Sequence, residues 1–304
     1  MKKHMKRSTR QRINFYLFVS PWILGFCIFS ILPMLTSLYY SFTKITVLGL
    51  GRRNPEWIGV ENYIAVFTDD NVFIRSIQNT FIFSFGRVFL GIIVALLVAL
   101  LMNTKIPGKR IYRTLIYLPA IIPIVGSAIL WKQLFSTDFS LFNYFLSIIG
   151  IPPVEWLSYD NAMGSIIFMS IWSGLGPTMI ILLAALQNVP RELIEAAKVD
   201  GANTVIRFRH ITIPMVSPTI VYLLVTGFIS ALQAYAEMDL LTGGGPGNVT
   251  TTMAMNVVFN AFDGRGMGYA SAQAWVIFAI ILVFSIFFFK IINKRAYYES
   301  GDGQ

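Results

Sequence analysis

Five long, mostly apolar stretches of this chain contain no Asp, Glu, Lys or Arg: residues 13–43, 114–131, 161–190, 210–236 and 266–289. A sixth, residues 76–102, is interrupted only by Arg87. About 20 consecutive apolar residues suffice for a helix to cross the hydrocarbon core of a bilayer. Six such stretches, one of them (114–131) slightly short, predict six membrane-spanning helices. None alternates strictly between apolar and polar residues, which argues against a transmembrane barrel. The expected fold is all-α and polytopic, with a basic tail at 1–12, a six-helix membrane domain at 13–293 and a short C-terminal tail at 294–304.

Composition excludes the other classes. Hydrophobic residues make up 55% of the 304 and charged residues only 13%, against about 25% charged in soluble chains. Disorder requires the opposite balance. Cys27 is the single cysteine and has no partner for an internal disulfide. The first apolar run is too long for a signal peptide and no small-residue cleavage site closes it, so it reads as a retained helix. Pro21 and Pro33 lie inside it and predict a kink or a break into shorter helices.

The net charge of +9 is a topology signal. Seventeen of the 24 Lys and Arg residues fall in the N-terminal tail, the second and fourth connections and the C-terminus; six fall on the opposite side and one is Arg87. The positive-inside rule then places both termini in the cytoplasm. This distribution removes the nucleic-acid reading that the charge alone would invite.

The connections carry the motifs. The first outer one holds Trp57-Ile58-Gly59-Val60-Glu61-Asn62-Tyr63. The third contains an apolar run at 141–149 followed by Pro152 and Pro153, which predicts a short interfacial helix. The last outer one, Gly243-Gly244-Gly245-Pro246-Gly247, cannot be regular helix and is placed at the outer mouth of the fifth span. The fourth connection, about 188–214, is the most informative. Pro190 suits a helix's first turn and Glu192 its positive end. Leu193, Ala196, Ala197 and Val199 give an apolar side, and Gly201 ends the helix. A second short helix is expected from Asn203 to Ile213-Pro214. Two short helices with a glycine between them would present a rigid knob at the cytoplasmic face.

Glu195-Ala196-Ala197, Gly201, Phe208, Ile211 and Pro214 match, without gaps, the signature loop of permease subunits of binding-protein-dependent ABC importers. Leu241-Thr242-Gly243-Gly244-Gly245-Pro246 with residues 250–252, the 57–63 segment and Leu118-Pro119 resemble the sugar-permease branch, in particular the first permease of maltose- and glycerol-phosphate-type systems. The similarity runs from about residue 20 to 290. The chain lacks the extra N-terminal helices and the large periplasmic domain of the maltose version.

The resemblance implies a type I importer. This chain would form half of a translocation pore with a second permease, by the asymmetry of the motifs a different chain. A dimer of ATP-binding cassette ATPases would sit beneath the pore, and a solute-binding protein would deliver a sugar from outside a bacterial or archaeal cytoplasmic membrane. ATP and Mg would be bound by the ATPase and no cofactor by this chain. No Gly-x-x-x-x-Gly-Lys-[Ser/Thr] loop occurs here: Gly108-Lys109 is followed by Arg110 and lacks the upstream glycine. The resemblance also implies residue roles. Glu195, Ala196, Ala197, Asp200, Gly201, Phe208 and Pro214 would couple to the ATPase, with Glu195 the leading contact and a solvated helix charge its plainer alternative. The substrate site would lie between the third, fourth and fifth spans. It would use Ser170, Trp172, Ser173 and Gly174, then Gly227, Ser230, Ala231, Gln233 and Glu237, with Ala120 and Ile124 on the third span. Trp172 reads equally as helix packing, and Glu237 equally as an interfacial charge.

Arg87 has two readings. Inside a span its charge costs about 2.5–3.5 kcal/mol on an insertion scale. It is either a counter-charge for an anionic substrate, such as glycerol phosphate or a charged saccharide, or a structural pair or snorkelling side chain. The peripheral place of the family's second span favours the structural reading. An ion-driven carrier would need more intramembrane charges than Arg87 and Glu237. A membrane enzyme would need a His, Asp and Glu constellation that the chain does not hold. His4 and His210 stand apart from any ligand cluster, which leaves no metal site. The 12 methionines are scattered as packing residues.

Overall fold

The computed structural model describes residues 7–46, 55–137 and 140–293. Residues 1–6 and 294–304, which hold most of the two tails read from sequence, lie outside the described residues, as do Arg52 and Arg53. Apolar helices dominate. Among the described residues, five are long enough to cross a membrane: Asn14–Ser41, Asn71–Asn103, Ala162–Gln187, Thr204–Leu232 and Met267–Phe288. In chain order these are spans 1, 2, 4, 5 and 6.

Span 3 differs from a straight helix. It is a pair, Lys109–Ile121 and Ile124–Leu134, bent by 100° at the break. The sequence gives the reason. Pro119 ends regular α-helix in a tight turn over Leu118–Ile121, and Ile122, which precedes Pro123, takes an extended conformation with φ −72° and ψ 125°. A residue before proline is pushed out of the helical region.

The prolines of span 1 do not break it. Pro21 is accommodated within one helix, and a wider π-helical turn at Cys27–Ile31 precedes Pro33. Such a turn absorbs the donor and the space that proline removes. The same device operates in span 5, where the turn Phe208–Thr212 precedes Pro214.

The described chain divides into two units. One comprises residues up to Asp69 together with Val257–Val276; the other comprises Asp70–Asn256 and the residues from Ile277 onward. In the first, span 1 ends against a two-stranded antiparallel ladder, Thr43–Lys44 with Glu56–Trp57. The 57–63 motif serves this end. Asn62 Nδ2 donates to the carbonyls of Ser41 (2.9 Å) and Thr43 (3.0 Å), groups that the helix terminus leaves without partners. Tyr63 Oη lies 2.7 Å from Ser41 Oγ, and Trp57 stacks on Phe42. Gly268 meets the same corner: a Cβ there would stand 2.0 Å from the Thr43 carbonyl oxygen.

In the second unit, spans 2, 4 and 5 share a buried core that includes Phe83, Ala95, Ala99, Met169, Met179, Val216 and Phe228. Small residues allow close approach, as in membrane helix pairs generally. A Cβ on Gly176 would lie 2.7 Å from the Tyr117 Cα, so span 3 crosses span 4 in backbone contact. A Cβ on Gly227 would lie 3.2 Å from Val88, where span 5 meets span 2. Span 2 thus packs against both span 4 and span 5. The interfacial helix expected at 141–149 forms as Leu141–Ile148, capped by Ser140 Oγ, which accepts from the Asn143 N–H at 3.0 Å.

Candidate functional site

Two places bring the singled-out residues together. The first is the fourth connection. Helix Arg191–Val199 starts after Pro190, carries Glu192 in its first turn and Lys198 in its last, and so agrees with its own dipole. Its C-terminus is closed by a paired hydrogen-bond motif. The Ala202 N–H donates to the Ala197 carbonyl at 2.9 Å, and the Gly201 N–H to the Lys198 carbonyl at 3.1 Å. Gly201 has φ +80°, which a side chain would strain. Asn203 Oδ1 then accepts from the Ile206 N–H at 2.9 Å and starts the next helix.

That next helix is not the separate short element expected from 203 to 214. It continues through the π-helical turn into span 5 as one helix, Thr204–Leu232. The turn at Phe208–Thr212 lets Pro214 sit inside a continuous rod. The knob is therefore one short helix, closed by a glycine cap, joined to the end of a span. Its outer face is exposed: Val199 is 89% exposed and Val205 71%, with Glu195, Ala196 and Asp200 also open to solvent. Ile194 packs inward on the core. Ala197, Phe208 and Pro214 are half-buried and hold the knob's shape.

The second place is a cleft of about 210 Å³ among spans 2, 4 and 5. Span 4 contributes Ser170, Gly174 and Thr178, and span 5 contributes Thr226, Gly227 and Ser230. Span 2 contributes Arg87, Val88 and Gly91. Four residues anticipated from sequence thus line one cleft: Ser170 and Gly174 from span 4, Gly227 and Ser230 from span 5. A Cβ on Gly174 would meet nothing within 4 Å, so this glycine leaves room. Ser170 is only 3% exposed, and among the described residues its Oγ has no hydrogen-bond partner. A buried orphan hydroxyl costs about 1–3 kcal/mol, and this one borders the cleft.

The remaining anticipated residues stand elsewhere. Ala231 is buried core. Ser173 is half-buried, with its Oγ buried and unpartnered outside the cleft. Gln233 turns back to donate to the Ile229 carbonyl at 2.9 Å. Trp172 packs edge-on against Trp131, ring centres 5.3 Å apart, in an aromatic cluster with Phe142 and Trp156, which is the packing reading. Ala120 and Ile124 of span 3 do not line the cleft; the 100° break carries them away from a straight path, and span 2 takes their place.

Arg87, read from sequence as either a counter-charge for an anionic substrate or a structural pair, has an acidic partner. It lies in a π-helical turn, Gly86–Leu90, a device that re-aims side chains and is common at functional sites. Its Nη1 stands 3.6 Å from Glu237 Oε1, and the guanidinium lies over the Phe83 ring at 5.8 Å. The two charges that sequence left with separate alternatives are partners. The readable signal was that each stood alone in an apolar setting, where an unpaired charge is costly.

The glycine-rich segment after span 5 is an ordered turn. Helix Ala236–Thr242 ends at Gly243, and the turn that follows is tied internally. Thr250 Oγ1 donates to the Gly245 carbonyl (3.0 Å), and Thr252 Oγ1 donates to the Ala234 carbonyl (2.7 Å). Span 2 clamps it: Asn79 Nδ2 donates to the carbonyls of Asn248 and Thr251, and Thr80 Oγ1 accepts from the Met253 N–H. Near it, Tyr235 donates to Asp239 Oδ2 at 3.1 Å, and that bond holds the phenol above its ordinary value of 10.

Residues 87–297 match the family described as binding-protein-dependent transport system inner membrane component. The chain belongs to this family. It is 38% identical to the probable ABC transporter permease protein YesP of Bacillus subtilis strain 168, over 94% of this chain and 92% of that one. It is 32% identical to the trehalose/maltose transport system permease protein MalF of Thermococcus litoralis, over 92% and 94%. It is 31% identical to the sn-glycerol-3-phosphate transport system permease protein UgpA of Yersinia enterocolitica, over 93% and 95%. Among solved structures, a bacterial alginate ABC transporter in complex with alginate pentasaccharide-bound periplasmic protein has a chain that superposes with a TM-score of 0.82. That chain is 26% identical, and the match covers 96% of this chain and 99% of that one. The match runs nearly end to end, so the six-span permease architecture is that of the family.

Proposed function

We propose that this permease forms half of the translocation pathway of an ATP-driven importer for a sugar or oligosaccharide. The observation that carries the reading is the exposed, rigidly capped knob at Arg191–Val199, fixed directly to span 5, one wall of the cleft. A push on the knob moves a pore helix, which is what coupling to an ATPase requires. The ATPase dimer would bind ATP and Mg; this chain, a non-catalytic subunit, would bind neither. Glu195 and Val199 would meet the ATPase, while Gly201 fixes the knob's angle. A second permease of different sequence would complete the pore, and an extracytoplasmic binding protein would deliver the solute.

The sugar class is supported by the trehalose/maltose and alginate relatives, and by a cleft that mixes hydroxyls, a guanidinium and open space beside glycine. Both termini are placed in the cytoplasm by the distribution of Lys and Arg, which puts the knob on the ATPase side.

The test is purification from the native membrane in mild detergent, with the co-purifying proteins identified by mass. Recovery of a P-loop ATPase and a second six-span permease is expected. Repeated recovery of this chain alone, in an active state, would remove the ATP-driven mechanism.

A further inference from the structure

We infer that a second saccharide site lies beside the start of span 4, at the end of that span opposite the knob and apart from the cleft. The inference rests on the saccharide reading above and assigns a sugar contact that the cleft does not contain.

A cavity of about 480 Å³ opens there, with Phe142, Trp156 and Phe168 as aromatic lining and Asp160, Asn161 and Gly164 beside them. Its volume falls within the range of about 300–1,000 Å³ common to small-molecule sites. Its central ring is held in place by buried hydrogen bonds. Asn143, 7% exposed, accepts at Oδ1 from the Trp156 Nε1–H at 3.1 Å and from the Val154 N–H at 3.0 Å. Ser165 Oγ donates to the Trp156 carbonyl at 2.7 Å. The indole is thus tied at its ring nitrogen and at its backbone, and what it offers a ligand is its ring. Gly164 is the third residue of the helix Ala162–Gln187. A Cβ there would meet nothing within 4 Å, so packing does not require the glycine. Glycine weakens a helix; what this one preserves is open space in the cavity.

The polar side chains of the cavity are left mainly with acceptors. Asn161 Nδ2 donates to the Glu155 carbonyl at 3.1 Å, which leaves its Oδ1 free to accept. The Ser165 hydrogen is spent on the Trp156 carbonyl. Asp160 is exposed, and among the described residues its carboxylate has no hydrogen bond or ion pair. The ligand that fits such a lining has an apolar face for the rings and hydroxyls to donate. A pyranose has both: its C–H face packs on an aromatic ring while its hydroxyls donate to carboxylate and amide oxygens. An acyl chain has no donors and would cover the carboxylate without pairing it. An organic cation has donors, but Asp160 and Asn161 are open to solvent, where an ion pair gains little.

The experiment uses the full complex in lipid nanodiscs, without the binding protein. Gly164→Cys in a Cys27→Ser background places a thiol in the cavity, and its labelling by a membrane-impermeant maleimide is read by the mass of its peptide. Saturating maltotriose should slow the labelling about tenfold, as occupancy dictates, and adding Asp160→Ala should remove most of that protection. If Gly164→Cys does not assemble, saturation-transfer NMR to maltotriose carries the test, with a weaker signal expected from Asp160→Ala and from Phe168→Ala than from the wild type. A thiol that never reacts, labelling unslowed by maltotriose, protection by spermidine alone, or a transfer signal unchanged in both variants overturns this inference. Saturation transfer from the wild type to maltotriose would in each of those cases leave the saccharide reading standing. Its absence from the wild type overturns that reading and this one with it.

Discussion

The Ala202 N–H donates to the Ala197 carbonyl at 2.9 Å, which closes the helix Arg191–Val199 over Gly201. The bond forms only because Gly201 adopts φ +80°. A side chain there costs about 1–2 kcal/mol in backbone strain. Gly201→Val should reopen the cap and tilt the knob. Its expected signature is a correctly inserted permease with weakened ATPase co-purification, read by pull-down against Gly201→Asn, which tolerates the left-handed conformation and should retain the partner.

Glu195 and Val199 are exposed. Glu195→Ala and Val199→Asp should change thermal stability by no more than about 0.5 kcal/mol. Transport and substrate-stimulated ATP hydrolysis by the complex should nevertheless fall by tenfold or more. A large loss of thermal stability would make these residues structural.

Three glycines of the second unit should respond differently to a single methyl group. Gly176→Ala drives a Cβ to 2.7 Å from Tyr117 Cα, backbone that cannot step aside, and should cost about 1–3 kcal/mol. Gly86→Ala meets the end of the Ile167 side chain, which can rotate away, and should cost less. Gly174→Ala meets open space and should leave stability unchanged, while narrowing the cleft. Thermal unfolding of the detergent-solubilised complex gives the order.

Asn79→Ala should destabilise the loop after span 5. Asn79 Nδ2 serves the carbonyls of Asn248 (2.7 Å) and Thr251 (3.0 Å), and its loss strands buried acceptors at about 1–3 kcal/mol. Protease nicking between residues 243 and 252 should rise in Asn79→Ala and remain at the wild-type level in Asn79→Gln only if the longer amide still reaches. A protected loop in Asn79→Ala would show that the threonine hydrogen bonds suffice.

Much of this protein follows from its sequence alone. Uncharged runs of bilayer length dictate spanning helices, because no water is present to satisfy a bare backbone. The Glu195–Pro214 spacing gave the knob, since its caps depend on neighbours in the chain: Pro190 before, Gly201 and Asn203 after. The family was legible for the same reason. What tertiary structure decided is which distant residues meet. Ser170, Gly174, Gly227 and Ser230 were reachable through motif spacing, but the third wall was not. Span 3 yields its place to span 2 because Pro123 turns the backbone of Ile122 outward, a bend whose direction no local pattern encodes. Trp172 became packing because Trp131 stands beside it. Arg87 and Glu237, 150 positions apart in the chain, each posed a question that only their 3.6 Å approach answers: a charge in an apolar setting must find its opposite, and folding alone determines where that partner is.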